Sequence, residues 1–155
     1  MKNVFVSCCT IGNLGDDLFL ISLLKRYADV PGLRFHIICD ESYRLWEQRY
    51  PNLVCHSYRA CDADDNLFWK FGSSIRELCM LRSARNERYD ATVQIAGSIF
   101  IEPRTSNKFK QRYLRWRSLK ALEYVYRSSD NIFIMGSNFG PCYSKGYVTK
   151  LRKYY

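Results

Sequence analysis

Two adjacent aspartates in a glycine-bearing segment are the residues of this chain best suited to acid–base chemistry. They follow the first apolar run, in the sequence Gly12-Asn13-Leu14-Gly15-Asp16-Asp17. Glycines let a ligand approach the backbone closely, and free N–H groups at the start of a helix attract anions. Because the two carboxylates already supply negative charge there, the segment favours hydroxyl groups, which an aspartate can bind or deprotonate. Helix capping by Asp16 and a simple glycine turn explain the same residues equally well.

Two further glycine-bearing segments carry polar side chains. In the first, Gly97 is followed by Ser98, which offers a hydroxyl group, and by Glu102, which offers a general acid or base. The second segment, residues 136–141, offers Asn138 as a polar contact. Taken alone, the first segment is better explained by a tight turn with Glu102 in solvent. The sequence contains no Ser-His-Asp set, metal-ligand cluster or nucleophile elbow, so no metal site is predicted.

The alternation of short apolar runs with helical periodicity predicts how these segments are positioned. Such alternation needs crossover connections, which give a parallel sheet with helices on both faces. We therefore expect one α/β domain over residues 1–155, a Rossmann-like three-layer sandwich with a mainly parallel five-stranded sheet. Ligands of such sheets bind beyond the carboxyl ends of the strands, so the three segments are expected to share one edge. The predicted strands are residues 3–8, 35–39, 53–58, 91–95 and 131–135, and the predicted helices begin near residues 16, 42, 66, 107 and 145.

Composition restricts the class of protein. The formal charge of +9 suits polyanions, anionic membrane surfaces or phosphorylated substrates. Seven cysteines without a C-x-x-C pair predict neither a disulfide framework nor a zinc site. No apolar run approaches the ~20 residues that span a bilayer, and the N-terminus lacks signal-peptide features. A cytoplasmic location is expected, with association at a membrane surface left open.

The basic residues fall into two groups. The first group is explained by the solvated face of one helix more readily than by a binding surface. The second group belongs to the final segment, residues 145–155, which is expected to pack against further chain. The first group comprises Arg104, Lys108, Lys110, Arg112, Arg115, Arg117 and Lys120, and the second comprises Lys145, Lys150, Arg152 and Lys153.

The three glycine-bearing segments together resemble the polysaccharide pyruvyl transferase family. The opening block is residues 12–17, and residues 90–100 resemble the second block of the family. The third block is Gly136-Ser137-Asn138-Phe139-Gly140-Pro141. Their order and spacing cover nearly the whole chain. One departure is Ala96, which stands where the family usually carries the first of consecutive glycines.

The resemblance implies transfer of a pyruvyl group from phosphoenolpyruvate to a sugar hydroxyl, in cell-surface polysaccharide biosynthesis. Family members resemble two-domain transferases of the GT-B type, so this chain is expected to be the N-terminal, acceptor-side half. Asp16 or Asp17 would act as base, and Arg104 and Lys108 would supply positive charge for the donor. No cofactor besides the donor substrate is implied. The remaining expected substrate contacts are Gly12, Asn13, Gly15, Gly97, Ser98, Glu102 and Asn138.

Partners implied by the resemblance are a sugar or glycan acceptor, free or lipid-linked, and the missing C-terminal half. One alternative is a non-catalytic remnant or interaction module that keeps the fold. Another is a nucleic-acid binder, suggested by the charge and by Tyr113 and Trp116 among the basic residues. Because one amphipathic helix explains those aromatics, no nucleic acid is expected.

Overall fold

Five parallel strands form the centre of the molecule. The computed structural model describes residues 1–8, 14–58, 67–100, 102–139 and 141–154. The strands lie in the order β3-β2-β1-β4-β5, and every neighbouring pair is parallel. The predicted α/β architecture with a parallel five-stranded sheet is therefore confirmed, and it is consistent with a Rossmann-like fold. The strands are β1 (Lys2–Ser7), β2 (Leu33–Asp40), β3 (Leu53–Tyr58), β4 (Ala91–Phe100) and β5 (Ile132–Phe139).

A helix follows each strand along the chain, as the alternation predicted. In the described ranges, none of these helices is both long enough and apolar enough to cross a membrane. Short 3₁₀ helices precede the second α-helix and follow the last one, at Glu41–Tyr43 and Arg152–Tyr154. The α-helices are α1 (Leu14–Arg26), α2 (Arg44–Arg49), α3 (Leu67–Glu87), α4 (Lys108–Tyr126) and α5 (Lys145–Leu151).

Helices cover both faces of the sheet, which gives three layers. Side chains of β1 point alternately to the two faces. On one face, Val4 and Val6 pack in a cluster with Leu20 and Leu24 of α1. On the other face, Phe5 packs against α3 and α4. Burying one such leucine side chain stabilises the fold by about 2 kcal/mol, so both helix layers are held by the apolar alternation of β1.

After β3 the chain crosses back over the sheet and adds its last two strands on the other side of β1. β2 and β3 add to one side of β1, and β4 and β5 add to the other. Ser7 near the end of β1 is in register with Gln94 of β4. In open α/β sheets, a crevice forms at the carboxyl ends of the two strands where the strand order reverses in this way. The fold therefore offers its ligand crevice between the segments that follow β1 and β4.

The fourth and fifth strands are longer than the sequence predicted. Residues 91–95 and 131–135 were expected to end at glycines, but β4 continues to Phe100 and β5 to Phe139. Gly97 pairs with Ser137 inside the sheet, and the register shifts between Gly97 and Phe100. The expectation of loops at these glycines is wrong because a glycine keeps both backbone hydrogen-bonding groups and often marks an irregularity within a strand.

The last helix is covered by its own chain. Ser144 caps α5 and accepts a hydrogen bond from the backbone N–H of Tyr147 at 3.1 Å. Tyr147 and Leu151 are buried in a cluster with Leu122 of α4. The segment was expected to pack against further chain, but α4 already covers its apolar side. A helical pattern shows which side of a helix needs cover without identifying the element that provides it.

Candidate functional site

Asp16 and Asp17 lie in the first turn of α1. The helix begins at Leu14, so the expectation that Asp16 is its N-cap is wrong. Asp16 is 5% exposed, and Asp17 is half-buried. Acidic side chains in a first turn interact favourably with the N-terminal end of the helix dipole, which accounts for two aspartates at this place. The pair sits where the chain leaves β1, at the carboxyl edge of the sheet.

Tyr43 orients Asp17, although no sequence motif pointed to this tyrosine. Its hydroxyl donates to Oδ1 of Asp17 at 2.6 Å, and its ring lies 5.0 Å from that of Trp46. The 3₁₀ helix that carries Tyr43 is capped by Asp40, whose carboxylate accepts from the backbone N–H of Ser42 at 3.0 Å. The helix predicted to begin near residue 42 thus starts with this 3₁₀ turn, one residue earlier. The position of Tyr43 just after the second strand was the available signal.

Gln94 is a second polar residue that sequence reasoning missed. It lies in β4 in register with Ser7, and its side chain is 1% exposed. Val93 and Ile95 face α1, so the alternation turns Gln94 toward the α3 and α4 layer. Among the described residues its Oε1 has no hydrogen-bond partner. A buried amide oxygen without a partner costs about 1–3 kcal/mol, which favours a water or ligand donor beside it. A single amide inside an apolar strand was the signal.

Glu102 joins the segments that follow β4 and β5. Its carboxylate accepts hydrogen bonds from the backbone N–H groups of Tyr143 and Ser144, the latter at 2.8 Å, and forms an ion pair with Arg115. Its own N–H donates to the carbonyl of Pro141 at 3.2 Å. The side chain is 1% exposed. Burial alone would raise the pKa of Glu102, but the two N–H donors and Arg115 bring it below its ordinary value. Glu102 is therefore a carboxylate near neutral pH, which suits anchoring better than proton donation.

Arg104 and Lys108 lie beyond this anchored region. The guanidinium of Arg104 is exposed and stacks 4.8 Å from the centre of the Tyr143 ring. Lys108 is the first residue of α4 and is exposed. Asn107 caps the helix by accepting from the backbone N–H groups of residues 109 and 110, each at 3.0 Å. Tyr143 thus links Arg104 to Glu102, while Lys108 faces the groove between α4 and α5.

The other predicted site residues are placed by their backbone or lie outside the description. Gly12 and Asn13 fall outside the described residues, and Gly15 lies in the first turn of α1. Gly97 and Ser98 lie within β4, and Asn138 lies within β5; the side chains of Ser98 and Asn138 are outside the description. In the described part of the chain, no group of three or more His, Cys, Asp or Glu side chains is placed to hold a metal ion.

The arrangement separates acidic from basic chemistry along one edge of the sheet. The aspartates follow β1, where a hydroxyl group can donate to Asp17 beside Tyr43. The cations follow β4, around the segment that Glu102 anchors. A ligand with hydroxyl groups at one end and negative charge at the other fits this order. Comparison of the chain with family models, with curated proteins and with solved structures gave no match.

Proposed function

We propose that this chain is the acceptor-binding half of a transferase that moves a pyruvyl group from phosphoenolpyruvate to a sugar hydroxyl. The observation that carries the proposal is the Tyr43–Asp17 hydrogen bond beside buried Asp16, at the carboxyl edge where the strand order reverses. A carboxylate held by a neighbouring hydroxyl at this edge is suited to orient and deprotonate an acceptor hydroxyl. The three glycine-bearing segments of the sequence add support, since β1, β4 and β5 carry them to the same end of the sheet.

In the proposed reaction, an aspartate takes the proton from the acceptor hydroxyl as its oxygen bonds to the central carbon of phosphoenolpyruvate. A proton from solvent adds to the methylene carbon, and a second acceptor hydroxyl then closes the ketal as the C–O bond to phosphate breaks, its proton leaving with the phosphate. Arg104 and Lys108 would attract the donor's carboxylate and phosphate. Glu102 is held ionised by its donors, so we assign it the role of positioning the segment that carries Arg104.

A half-enzyme needs a surface for its other half, and β5 offers one. It is the last strand of the sheet, and its large apolar side chains Phe133, Ile134 and Met135 are exposed. Phe133 and Met135 lie on one face of the strand and Ile134 on the other, so both faces of β5 expose apolar side chains, which usually mark an interaction surface. We propose that the second domain of a GT-B-type transferase, working in the cytoplasm, covers this part of the molecule.

The acceptor site is tested with the variants Asp17→Asn and Tyr43→Phe and the control Asp29→Asn. Asp29 lies in the exposed turn after α1, so Asp29→Asn removes one carboxylate at a position distant from the carboxyl edge of the sheet. Binding of a panel of oligosaccharides is measured by saturation-transfer NMR. We expect Asp17→Asn to abolish binding, Tyr43→Phe to weaken it about tenfold, as loss of one hydrogen bond to a charged group does, and Asp29→Asn to leave it unchanged. Equal binding by Asp17→Asn and the unaltered chain would reduce Asp17 to helix stabilisation and overturn its role at the acceptor site.

A further inference from the structure

A groove between α4 and the C-terminal helices gathers the two basic groups of the sequence. Its volume is about 820 Å³. One wall is a single face of α4, and the other is formed by α5 and the 3₁₀ helix after it. We call this cavity the α4–α5 groove. Its basic lining residues are Lys108, Arg112, Arg115 and Lys120 on the first wall and Lys150 and Lys153 on the second.

Most of these cations have no acidic partner in the described part of the chain. Arg115 pairs with Glu102, and Lys120 pairs with Glu123 at 2.7 Å. The other four, Lys108, Arg112, Lys150 and Lys153, form no ion pair with any described residue. Unpaired like charges on facing walls repel each other, so an anion between them lowers the energy of the groove.

An exposed aromatic ring lies among the unpaired cations. Trp116 is 50% exposed and lies one helical turn after Arg112, on the same face of α4. Leu119 and Tyr147 complete an apolar floor beside it. A flat apolar group can stack on the indole while cations on both sides hold negative charge. The groove volume lies in the range of about 300–1,000 Å³ that is typical of small-molecule sites.

We propose that the α4–α5 groove binds a nucleotide that carries two or more phosphates. The base stacks on Trp116, and the phosphate chain lies between Arg112 on one wall and Lys150 and Lys153 on the other. Arginine suits phosphate because its guanidinium donates two parallel hydrogen bonds. The groove volume suits a single nucleotide, whereas a nucleic-acid strand needs a cationic track extending past the groove. The groove lies beyond the segment anchored by Glu102, so this site is separate from the acceptor site at Asp17.

The test measures binding of ATP, inorganic tripolyphosphate and an oligothymidylate by titration calorimetry at about 150 mM salt, where distant charges are screened. The variants are Lys150→Gln/Lys153→Gln, Trp116→Leu and the control Lys25→Gln/Arg26→Gln. Lys25 and Arg26 are exposed on α1, which packs on the opposite face of the sheet, so the control removes the same charge elsewhere. Circular dichroism establishes that each variant is folded.

We expect ATP to bind about tenfold more tightly than tripolyphosphate, since stacking of a base on an aromatic ring is worth that factor. Trp116→Leu should remove this difference and leave tripolyphosphate binding unchanged. Lys150→Gln/Lys153→Gln should weaken both ligands about tenfold, and the control should weaken neither. Equal affinity for ATP and tripolyphosphate overturns the proposal, as does the absence of ATP binding at about 1 mM. Tighter binding of the oligothymidylate than of ATP also overturns it, because the groove would then serve a nucleic acid.

Discussion

In β2 the side chains of Phe35 and Ile37 are 2% and 0% exposed, buried beneath α1. In β5, at the other end of the sheet, Phe133, Ile134 and Met135 are 58%, 40% and 41% exposed. Both strands are rich in apolar residues, so composition does not separate them. The two strands differ in whether other elements cover their side chains. Helix α1 covers the β1–β3 half, whereas β5 lacks such cover among the described residues. β4 is buried as well, with Val93 and Ile95 in the same cluster as Leu24, so the apolar surface left for a further contact is that of the edge strand β5.

The two halves also differ in whether their polar groups have partners among the described residues. In the β1–β3 half, His36 bridges Asn3 and His56, with nitrogen–oxygen and nitrogen–nitrogen distances of 3.1 Å. If Asn3 accepts from Nε2–H of His36, then Nδ1 of His36 accepts from His56, and the chain of hydrogen bonds closes internally. In the other half, the α4–α5 groove contains cations such as Lys150 and Lys153 that form no ion pair with a described residue. Binding of an anion in the groove is therefore expected to change the β4–β5 half more than the β1–β3 half.

The largest predicted effect is the loss of a core side chain in the covered half. Leu24 of α1 is fully buried, and Leu24→Ala should lower the free energy of unfolding by about 3 kcal/mol. Phe133→Ser in exposed β5 should change it by less than about 0.5 kcal/mol and increase solubility. Urea denaturation of both variants measures the contrast. Comparable losses would show that β5 is as well packed as α1 and would remove the distinction between the halves.

The next effect concerns the anchor between β4 and β5. Glu102→Gln should cost about 2 kcal/mol, because it weakens charge-assisted hydrogen bonds and leaves Arg115 without a carboxylate. Glu77→Gln is the matched control, since Glu77 also pairs with an arginine, Arg117, but is partly exposed. Exposed pairs contribute about 0–1 kcal/mol. The pKa of Glu102 is lowered in the fold, so its contribution exists above the unfolded value and is lost as pH falls through the folded one. Equal losses in the two variants at neutral pH would contradict the anchoring role.

A smaller effect is a pH dependence in the β1–β3 half. Burial, with a smaller contribution from neighbouring His56, lowers the pKa of His36 below its ordinary value. The unfolded chain therefore takes up a proton at higher pH than the folded chain, so stability falls as pH drops below about 6.5. The loss is complete once pH lies below the folded pKa. Melting temperatures at about pH 7 and pH 5 should differ less in His36→Gln than in the unaltered chain. An identical pH slope in both proteins would show that His36 does not carry the effect.

Strand and helix existence could be predicted from the sequence because the apolar alternation of β1 and the helical spacing of Leu20 and Leu24 reflect burial directly. Strand ends were less predictable. Gly97 was interpreted as the end of β4, although pairing with β5 carries the strand on to Phe100. Pairing between strands is a contact across the fold, and a single segment of sequence carries no direct record of it.

The candidate site was only partly predictable, because local properties are visible in the sequence and contacts across the fold are not. The acidic character of Asp16 and Asp17 and their closeness to the end of β1 are local properties, visible in the sequence. Tyr43, the partner of Asp17, lies in the 3₁₀ helix that follows β2, and Gln94 becomes adjacent to Ser7 only through sheet register. The α4–α5 groove likewise joins basic groups that the sequence separates. Residues that act through long-range contacts had to be found in the fold.

The last prediction is that this chain alone releases no phosphate from phosphoenolpyruvate and sugar. Its expected base, Asp17, and its expected donor cations, Arg104 and Lys108, lie along one open edge, and Glu102 is held as a carboxylate rather than as a proton donor. A donor at such an edge stays exposed to water, where charge neutralisation and exclusion of solvent are weak. Phosphate release is measured with both substrates, with and without the C-terminal half of a complete pyruvyl transferase. Activity that appears only when the C-terminal domain is added would support the conclusion that the open part of the sheet needs further chain to complete the site. Release by this chain alone, dependent on both substrates, would show that the open edge already forms the full site.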